Sequence, residues 1–340
     1  FKDTKRYADL KFSHLSTDSV ARQISKLLDE TTDLKNNTIA GYLKSLDKVW
    51  KLYKGLPKKA SGQFSKLGLI PTEQVSKRKP VYTNEVYSCL EKYNTLGQLE
   101  ALLFWLYSFC LVGMDGVDII NVSEDLIAEK EDNKDLKVLD YFPLAHTRYE
   151  GHLAQRLHIA RDRQKVKGSE VVTMCNLFPT LLIRDMLHHC IKLTRPHLAY
   201  TGRDKLRLFN FYTKNEDGSN NPSGMAKWKH LRDYYNSVNR EKLGSTTQMT
   251  RKSITRIGRE NNIPVDKLGS QIGHNVEGSI KHYLSDSQIE LDIIQMQVFK
   301  DYDLIGILGN LIKLHKDKTL LDANGQEVKW IPNELLEIQL

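Results

Sequence analysis

Gln271-Ile272-Gly273-His274-Asn275-Val276-Glu277-Gly278-Ser279-Ile280-Lys281-His282-Tyr283 is the stretch on which the reading of this chain turns. A Gly-His pair is followed, nine residues after the His, by a Tyr, with apolar residues at helical spacing between them. Upstream lies Gln248-Met249-Thr250-Arg251. A Tyr hydroxyl can attack phosphorus as a covalent nucleophile. An Arg fork can hold two phosphate oxygens at once. A Tyr, a His or an Arg taken singly is more often a packing or surface residue. The order and spacing of the three are what point to one phosphate-handling site.

The bulk composition fits that direction. A chain of 340 residues with 40% hydrophobic content has room for about two cored domains. It contains no apolar run long enough for a membrane span. No signal-peptide pattern opens it, and Phe1 leaves the native start open. The four Cys form no C-x-x-C pair, which reads as buried thiols in a reducing compartment. The eleven His show no ligand spacing with Cys or carboxylates, so neither a metal site nor a cofactor is expected. Net charge is +8, which favours a polyanionic partner. The charge is also gathered: Gly41 to Lys79 holds ten Lys and Arg against two acids, Asp47 and Glu73. That concentration is a better nucleic-acid signal than the total.

Residues 1–57 read as helical. One helix runs through Val20, Ile24 and Leu27-Leu28 behind the capping run Ser16-Thr17-Asp18-Ser19. Another starts at Asn36-Asn37-Thr38, with Ile39, Leu43, Leu46, Trp50 and Tyr53 as its apolar stripe. Lys44, Lys48 and Lys51 lie off that stripe, either as a solvated face or as phosphate contacts. Residues 58–80 read as a basic linker, carrying Lys58, Lys59, Lys77, Arg78 and Lys79 before Pro80. A second domain starts at Val81, with Thr83 as a helix N-cap. Leu99 to Val112 reads as a buried helix broken by Gly113 and Gly116. Leu126 to Asp135 reads as an acidic surface loop. Lys137 to Leu139, Arg156 to Ile159 and Glu170 to Met174 read as strands of a small antiparallel sheet with a basic turn at 161–168. Helices follow at 177–193 and 225–238, and Thr246-Thr247 should cap the helix bearing Arg251. Gln288 to Leu314 is helical again. Asn324-Gly325 between apolar runs signals a hairpin, and Trp330 reads as a packing residue.

At Arg251, His274 and Tyr283 the chain resembles the tyrosine recombinases, the phage-integrase family. That resemblance implies a mainly α fold with a small antiparallel β-sheet: a helical core-binding domain (1–57), the linker (58–80), a catalytic domain (81–300) and a C-terminal extension (301–340) that either docks on a neighbouring subunit or folds back on its own chain. It implies Tyr283 as nucleophile, with Arg251 and His274 on the phosphate. Lys165, inside Arg163-Gln164-Lys165-Val166, matches the family's hairpin Lys that protonates the leaving oxygen, with Lys167 as runner-up. It implies double-stranded DNA as substrate, a synaptic homotetramer on that DNA, DNA-bending or accessory proteins as helpers, no membrane partner, and a cytoplasmic setting in a bacterial nucleoid or phage-infected cell.

The likeness has two departures. The Gly-x-Arg of the family reads Gly113-Met114-Asp115, so Asp115 stands at the first-Arg position. The His of His-x-x-Arg reads Gln248. The run Ser108-Phe109 to Val117-Asp118 resembles a branch carried by mobile elements of Bacteroides-type bacteria, which often lacks this Arg. An anionic Asp115 close to a scissile phosphate is unfavourable, so either Asp115 points away or another cation compensates. Arg163, two residues before Lys165 and on the same face of an extended strand, is the candidate. Asp118 is expected to orient an Arg. The rival readings are a DNA-binding protein of this fold with lost catalysis and a type IB topoisomerase-like enzyme.

Overall fold

The computed structural model describes residues 11–30, 34–72, 79–121, 127–130, 156–162, 170–202, 207–215, 217–271, 294–295, 297–299, 302–331 and 336. The chain divides into two units, Phe1–Arg78 and Lys79–Leu340, each with its own core. Helices dominate, with a little antiparallel sheet.

In the first unit a short 3-10 turn, Phe12–Ser16, leads into α1 (Asp18–Glu30), α2 (Asn36–Tyr53) and the single turn α3 (Gln63–Lys66). Ile39, Leu43 and Trp50 of α2 turn inward at helical spacing and meet Leu15, Ala21, Leu28 and Phe64. Phe64 is fully buried. Asp47, also buried, accepts from the Phe64 and Ser65 backbone amides at 2.8 and 3.0 Å and from Ser65 Oγ at 2.6 Å. Gln63 Nε2 donates to Asp18 Oδ1 at 2.6 Å, and Trp50 Nε1 to Ser16 Oγ at 3.1 Å. Residues 58–72 therefore belong to this unit, and the linker reading of 58–80 is corrected for them. Their sequence lacks periodicity because a carboxylate on a distant helix holds them, not a stripe of their own.

The second unit is organised around α5 (Leu96–Cys110), buried on all sides. Thr95 caps it by accepting from the Gln98 amide at 3.3 Å. Phe104, Trp105 and Phe109 are fully buried, and each such side chain contributes roughly 1.5–3 kcal/mol on leaving water. Ahead of it α4 (Thr83–Cys89) has Tyr82, not Thr83, at its N-cap, with the Tyr82 amide donating to Glu85 Oε2 at 2.7 Å. After it comes the single turn α6 (Gly116–Ile119). A three-stranded sheet in the order β1 (Ile127–Lys130), β2 (Arg156–Asp162), β3 (Glu170–Asn176) follows, antiparallel throughout. Ile127 pairs with Ile159, and Asp162 with Glu170. Ile127–Lys130 is thus a strand where an acidic loop was read; cross-strand pairing decides it, and four residues carry too little pattern to announce it. The strand read at 137–139 lies outside the described residues.

Then α7 (Leu177–Thr194) and α8 (Pro222–Lys242) flank α5. Pro222 opens α8 behind Asn221, whose side chain accepts from the Gly224 amide. Phe104 stacks on Tyr235 at 4.9 Å. The fully buried Glu100 accepts from Arg195 Nε at 3.1 Å, from the Tyr235 hydroxyl at 2.5 Å and from Thr194. A buried carboxylate so partnered joins three helices in one register. The helices α9 (Met249–Glu260) and α10 (Val265–Gln271) come next.

The C-terminal part, α11 (Leu304–Asp317) with the hairpin β4 (Leu320–Leu321) and β5 (Glu327–Val328), folds back on its own unit. Leu308, Leu311, Leu320 and Trp330 share the core that holds α5. Buried residues between 302 and 331 therefore pack on the core of their own chain. Gly325, at φ +76°, follows Asn324 in the hairpin turn, as the Asn-Gly pair foretells.

Candidate functional site

α5 ends at Cys110, and the chain reverses through two left-handed residues, Val112 (φ +55°) and Gly113 (φ +68°). Such a conformation is costly for a β-branched residue and is held only where surroundings enforce it. Here the enforcing partner is the first turn of α9. A Cβ on Gly113 would lie 2.5 Å from the Cα of Arg251, so only glycine permits this approach. The Gly113 carbonyl accepts from Arg251 Nε at 3.0 Å. Ser108 Oγ donates to the Met114 carbonyl at 3.1 Å and lies 3.0 Å from Thr250 Oγ1, which donates to the Thr247 carbonyl at 2.7 Å. Gln295 Nε2 donates to the Cys110 carbonyl at 3.1 Å, answering one of the acceptors that a helix end leaves open.

Arg251 is half-buried on α9, and Gln248, exposed, occupies the N-cap one turn before it. Residues three apart share a helix face. Gln248 makes no side-chain cap bond. Thr246 and Thr247, read as the cap, are buried instead: Thr247 donates through both its amide and Oγ1 to Asn236 Oδ1 at 3.0 Å, tying this helix start to α8. Asp115, two residues beyond Gly113, is the N-cap of α6, and its carbonyl accepts from the Asp118 and Ile119 amides at 2.8 and 3.0 Å. Asp118 is buried. Asp115 thus follows directly on the turn whose Gly113 lies against Arg251.

The way into this unit grips the same helix. The Val81 amide donates to Ser253 Oγ at 3.0 Å, and the Tyr82 hydroxyl to Glu260 at 3.0 Å, both on α9.

His274, Tyr283, Lys165, Arg163 and the runner-up Lys167 lie outside the described residues, as do Lys77 and Arg78. Lys44 and Lys48 are exposed on α2; Lys58, Lys59 and Lys79 are exposed as well. Lys51 is half-buried, with its Nζ donating to the Lys58 carbonyl at 3.0 Å. Between Asn36 and Thr72 stand seven Lys and one acid. That acid is Asp47, turned inward, so the outer surface of this stretch carries positive charge alone.

Sequence reasoning missed the roles of Ser108, Thr250 and the Gly113 carbonyl. The signal available was Gly113 as a helix breaker; its use as an acceptor depends on a residue 138 positions away. Among the described residues no group of His, Cys, Asp and Glu could hold a metal ion, and no helix is long and apolar enough to cross a membrane. No protein-family model matches the chain, and no curated protein is significantly similar to it.

Proposed function

We propose that this chain is a site-specific DNA recombinase or integrase that cuts and rejoins DNA through a 3′-phosphotyrosyl intermediate. The observation that carries the reading is the Arg251 Nε bond to the Gly113 carbonyl, which brings the Gly-x-Arg-like turn against the Arg-bearing helix. A carbonyl on Nε fixes the plane of the guanidinium, as a phosphate-clamping Arg requires.

In this mechanism the Tyr283 oxygen attacks phosphorus as its phenolic proton passes to solvent. The phosphodiester bond to the leaving 5′ oxygen breaks, and Lys165 gives that oxygen its proton, freeing a 5′-hydroxyl. Arg251 and His274 stabilise the charge on the non-bridging oxygens. Arg163 supplies the positive charge that Asp115 does not, and Gln248, unable to move a proton, positions. The phosphotyrosyl bond keeps the energy of the broken one, so rejoining needs neither nucleotide nor metal. The lysines of the first unit hold the duplex. By its resemblance the enzyme works as a synaptic tetramer in a bacterial nucleoid or phage-infected cell, with accessory DNA-bending proteins.

The deciding experiment is incubation with a nicked suicide substrate carrying the crossover site, followed by denaturing electrophoresis. A covalent protein–DNA adduct that disappears in Tyr283→Phe is expected, and Arg163→Ala should lose the adduct while still binding DNA. Tight binding with no adduct would favour the second reading, a DNA-binding protein of the same fold with lost catalysis. Asp115 at the first-Arg position, on the turn that touches Arg251, is the specific observation behind that alternative. Site-independent relaxation of supercoiled DNA would favour a type IB topoisomerase-like enzyme.

A further inference from the structure

The turn that leaves α5 is closed almost wholly by its own backbone. The Leu111 amide donates to the Tyr107 carbonyl at 3.0 Å, Val112 to Phe109 at 2.9 Å, Gly113 to Ser108 at 2.8 Å and Met114 to Leu111 at 3.1 Å. That run passes over one acceptor, the Cys110 carbonyl. Among the described residues its donor is the Gln295 side chain, 185 positions further along the chain.

Gln295 braces this helix end from outside. It is 1% exposed, and Ile294, Val298 and Phe299 beside it belong to the core that holds α5. The Phe299 ring lies 5.5 Å from that of Phe109, the residue before Cys110. The same stretch reaches the far end of α9, where Asn261, the C-cap, donates through Nδ2 to the Gln297 carbonyl at 2.8 Å. It therefore touches both helices whose meeting fixes Arg251.

Stability alone does not account for a glutamine at 295. Its Nε2 is bonded, whereas its Oε1 is buried without a partner. An apolar side chain of equal length would exchange that unanswered oxygen for another, the Cys110 carbonyl, so the bond returns little net stability. What the amide does supply is direction. It holds the Cys110 carbonyl three residues before Gly113, whose own carbonyl accepts from Arg251 Nε at 3.0 Å. A shift of the turn moves the acceptor that sets the plane of the guanidinium fork.

We propose that Gln295 is a positioning residue for Arg251: by holding the Cys110 carbonyl it keeps the turn where the Gly113 carbonyl meets the guanidinium. The inference rests on the proposed function for what Arg251 does to a phosphate, not for how Arg251 is held.

The test uses the full chain with Gln295→Met, which keeps the side-chain length and removes the donor. Its urea midpoint should stay close to that of the unmodified chain; a variant that unfolds overturns the proposal. The Arg251 Nε–H, identified in nitrogen-15 arginine-labelled protein by its loss in Arg251→Lys, should exchange with solvent about tenfold faster. Unchanged exchange overturns the proposal whether or not the chain cleaves DNA. With saturating suicide substrate the adduct should form roughly ten- to a hundredfold more slowly, while the duplex Kd stays nearly unchanged. In the Arg251→Lys background the same substitution should cost much less, because it acts through Arg251. Equal cost in the two backgrounds counts against it. Val298→Ala, fully buried on the same stretch, is the structural control. It should lower the urea midpoint and leave the Arg251 exchange as it was; if it speeds that exchange as Gln295→Met does, the stretch serves the fold alone and the proposal falls. An unmodified chain that binds duplex and forms no adduct removes the recombinase reading, and the exchange measurement then decides the role of Gln295 by itself.

Discussion

Gly113 holds a left-handed backbone, lies against the backbone of Arg251 and offers its carbonyl to the Arg251 guanidinium. Gly113→Ala adds a methyl where 2.5 Å is available and forces an L-residue to φ +68°. We expect a loss of roughly 1–3 kcal/mol in chemical denaturation, with a larger proportional loss of the phosphotyrosyl adduct than of DNA affinity. Binding and adduct falling together would instead mean that the turn serves the fold alone. The sequence reading found Gly113 and Asp115 because helix breakers and motif positions are local. It could not find the Ser108–Thr250 contact, because those side chains meet only once two distant elements have packed. His188 offers a second residue-level expectation. Its Nε2 faces the Tyr200 carbonyl at 2.8 Å and so must carry the proton. Burial, with help from Arg184, Lys192 and His189, pulls its pKa down to about 4. The unfolded chain takes up that proton near the usual 6.5. Its contribution is therefore full above 6.5 and is lost as pH falls from there toward 4. Urea midpoints measured between pH 7 and 4 should decline, and His188→Gln should flatten the decline.

At the scale of elements, the contrast between α2 and the segment after it is instructive. The stripe Ile39, Leu43, Leu46, Trp50 is readable because a helix repeats its burial every 3.6 residues. α5 is readable because a helix buried all round is apolar throughout. α3 was not, since one turn has no period, and its fixed point is a carboxylate 17 and 18 residues upstream of the amides it holds, in a stretch otherwise rich in Lys. The candidate site divides the same way: the helix of Arg251 was legible, whereas its cap was not, since Thr246 and Thr247 look like caps and are instead used by Asn236 of α8. Asp47→Ala would leave two buried or half-buried amides and a hydroxyl without their acceptor. A loss of about 2–4 kcal/mol from the first unit is expected. Limited trypsin digestion should then cut at Lys58, Lys59 and Lys66 much faster, and unchanged cleavage would mean that Phe64 alone retains the segment.

For the whole molecule, two separate cores imply two cooperative blocks, and a single stability value does not describe the chain. The basic charge is not spread evenly over them; the stretch from Asn36 to Thr72 shows lysine outward and its one acid inward. DNA binding should accordingly depend steeply on salt. With about five phosphates neutralised, log K against log salt should fall with a slope near −4 to −5. Removing an exposed lysine such as Lys48 or Lys58 should reduce that slope by roughly one, while removing Lys51, whose ammonium is engaged by the Lys58 carbonyl, should reduce it less.

Just past the division between the units, Val81 and Tyr82 are fastened to Ser253 and Glu260. They lie on the helix that carries Arg251. A load pulling on Lys79 and Pro80 is therefore delivered to that helix as well as to α4, which Tyr82 caps. The chain's entry into this unit and Arg251 are thus mounted on one helix, so in the proposed function tension on the chain would bear on the residue that holds the phosphate.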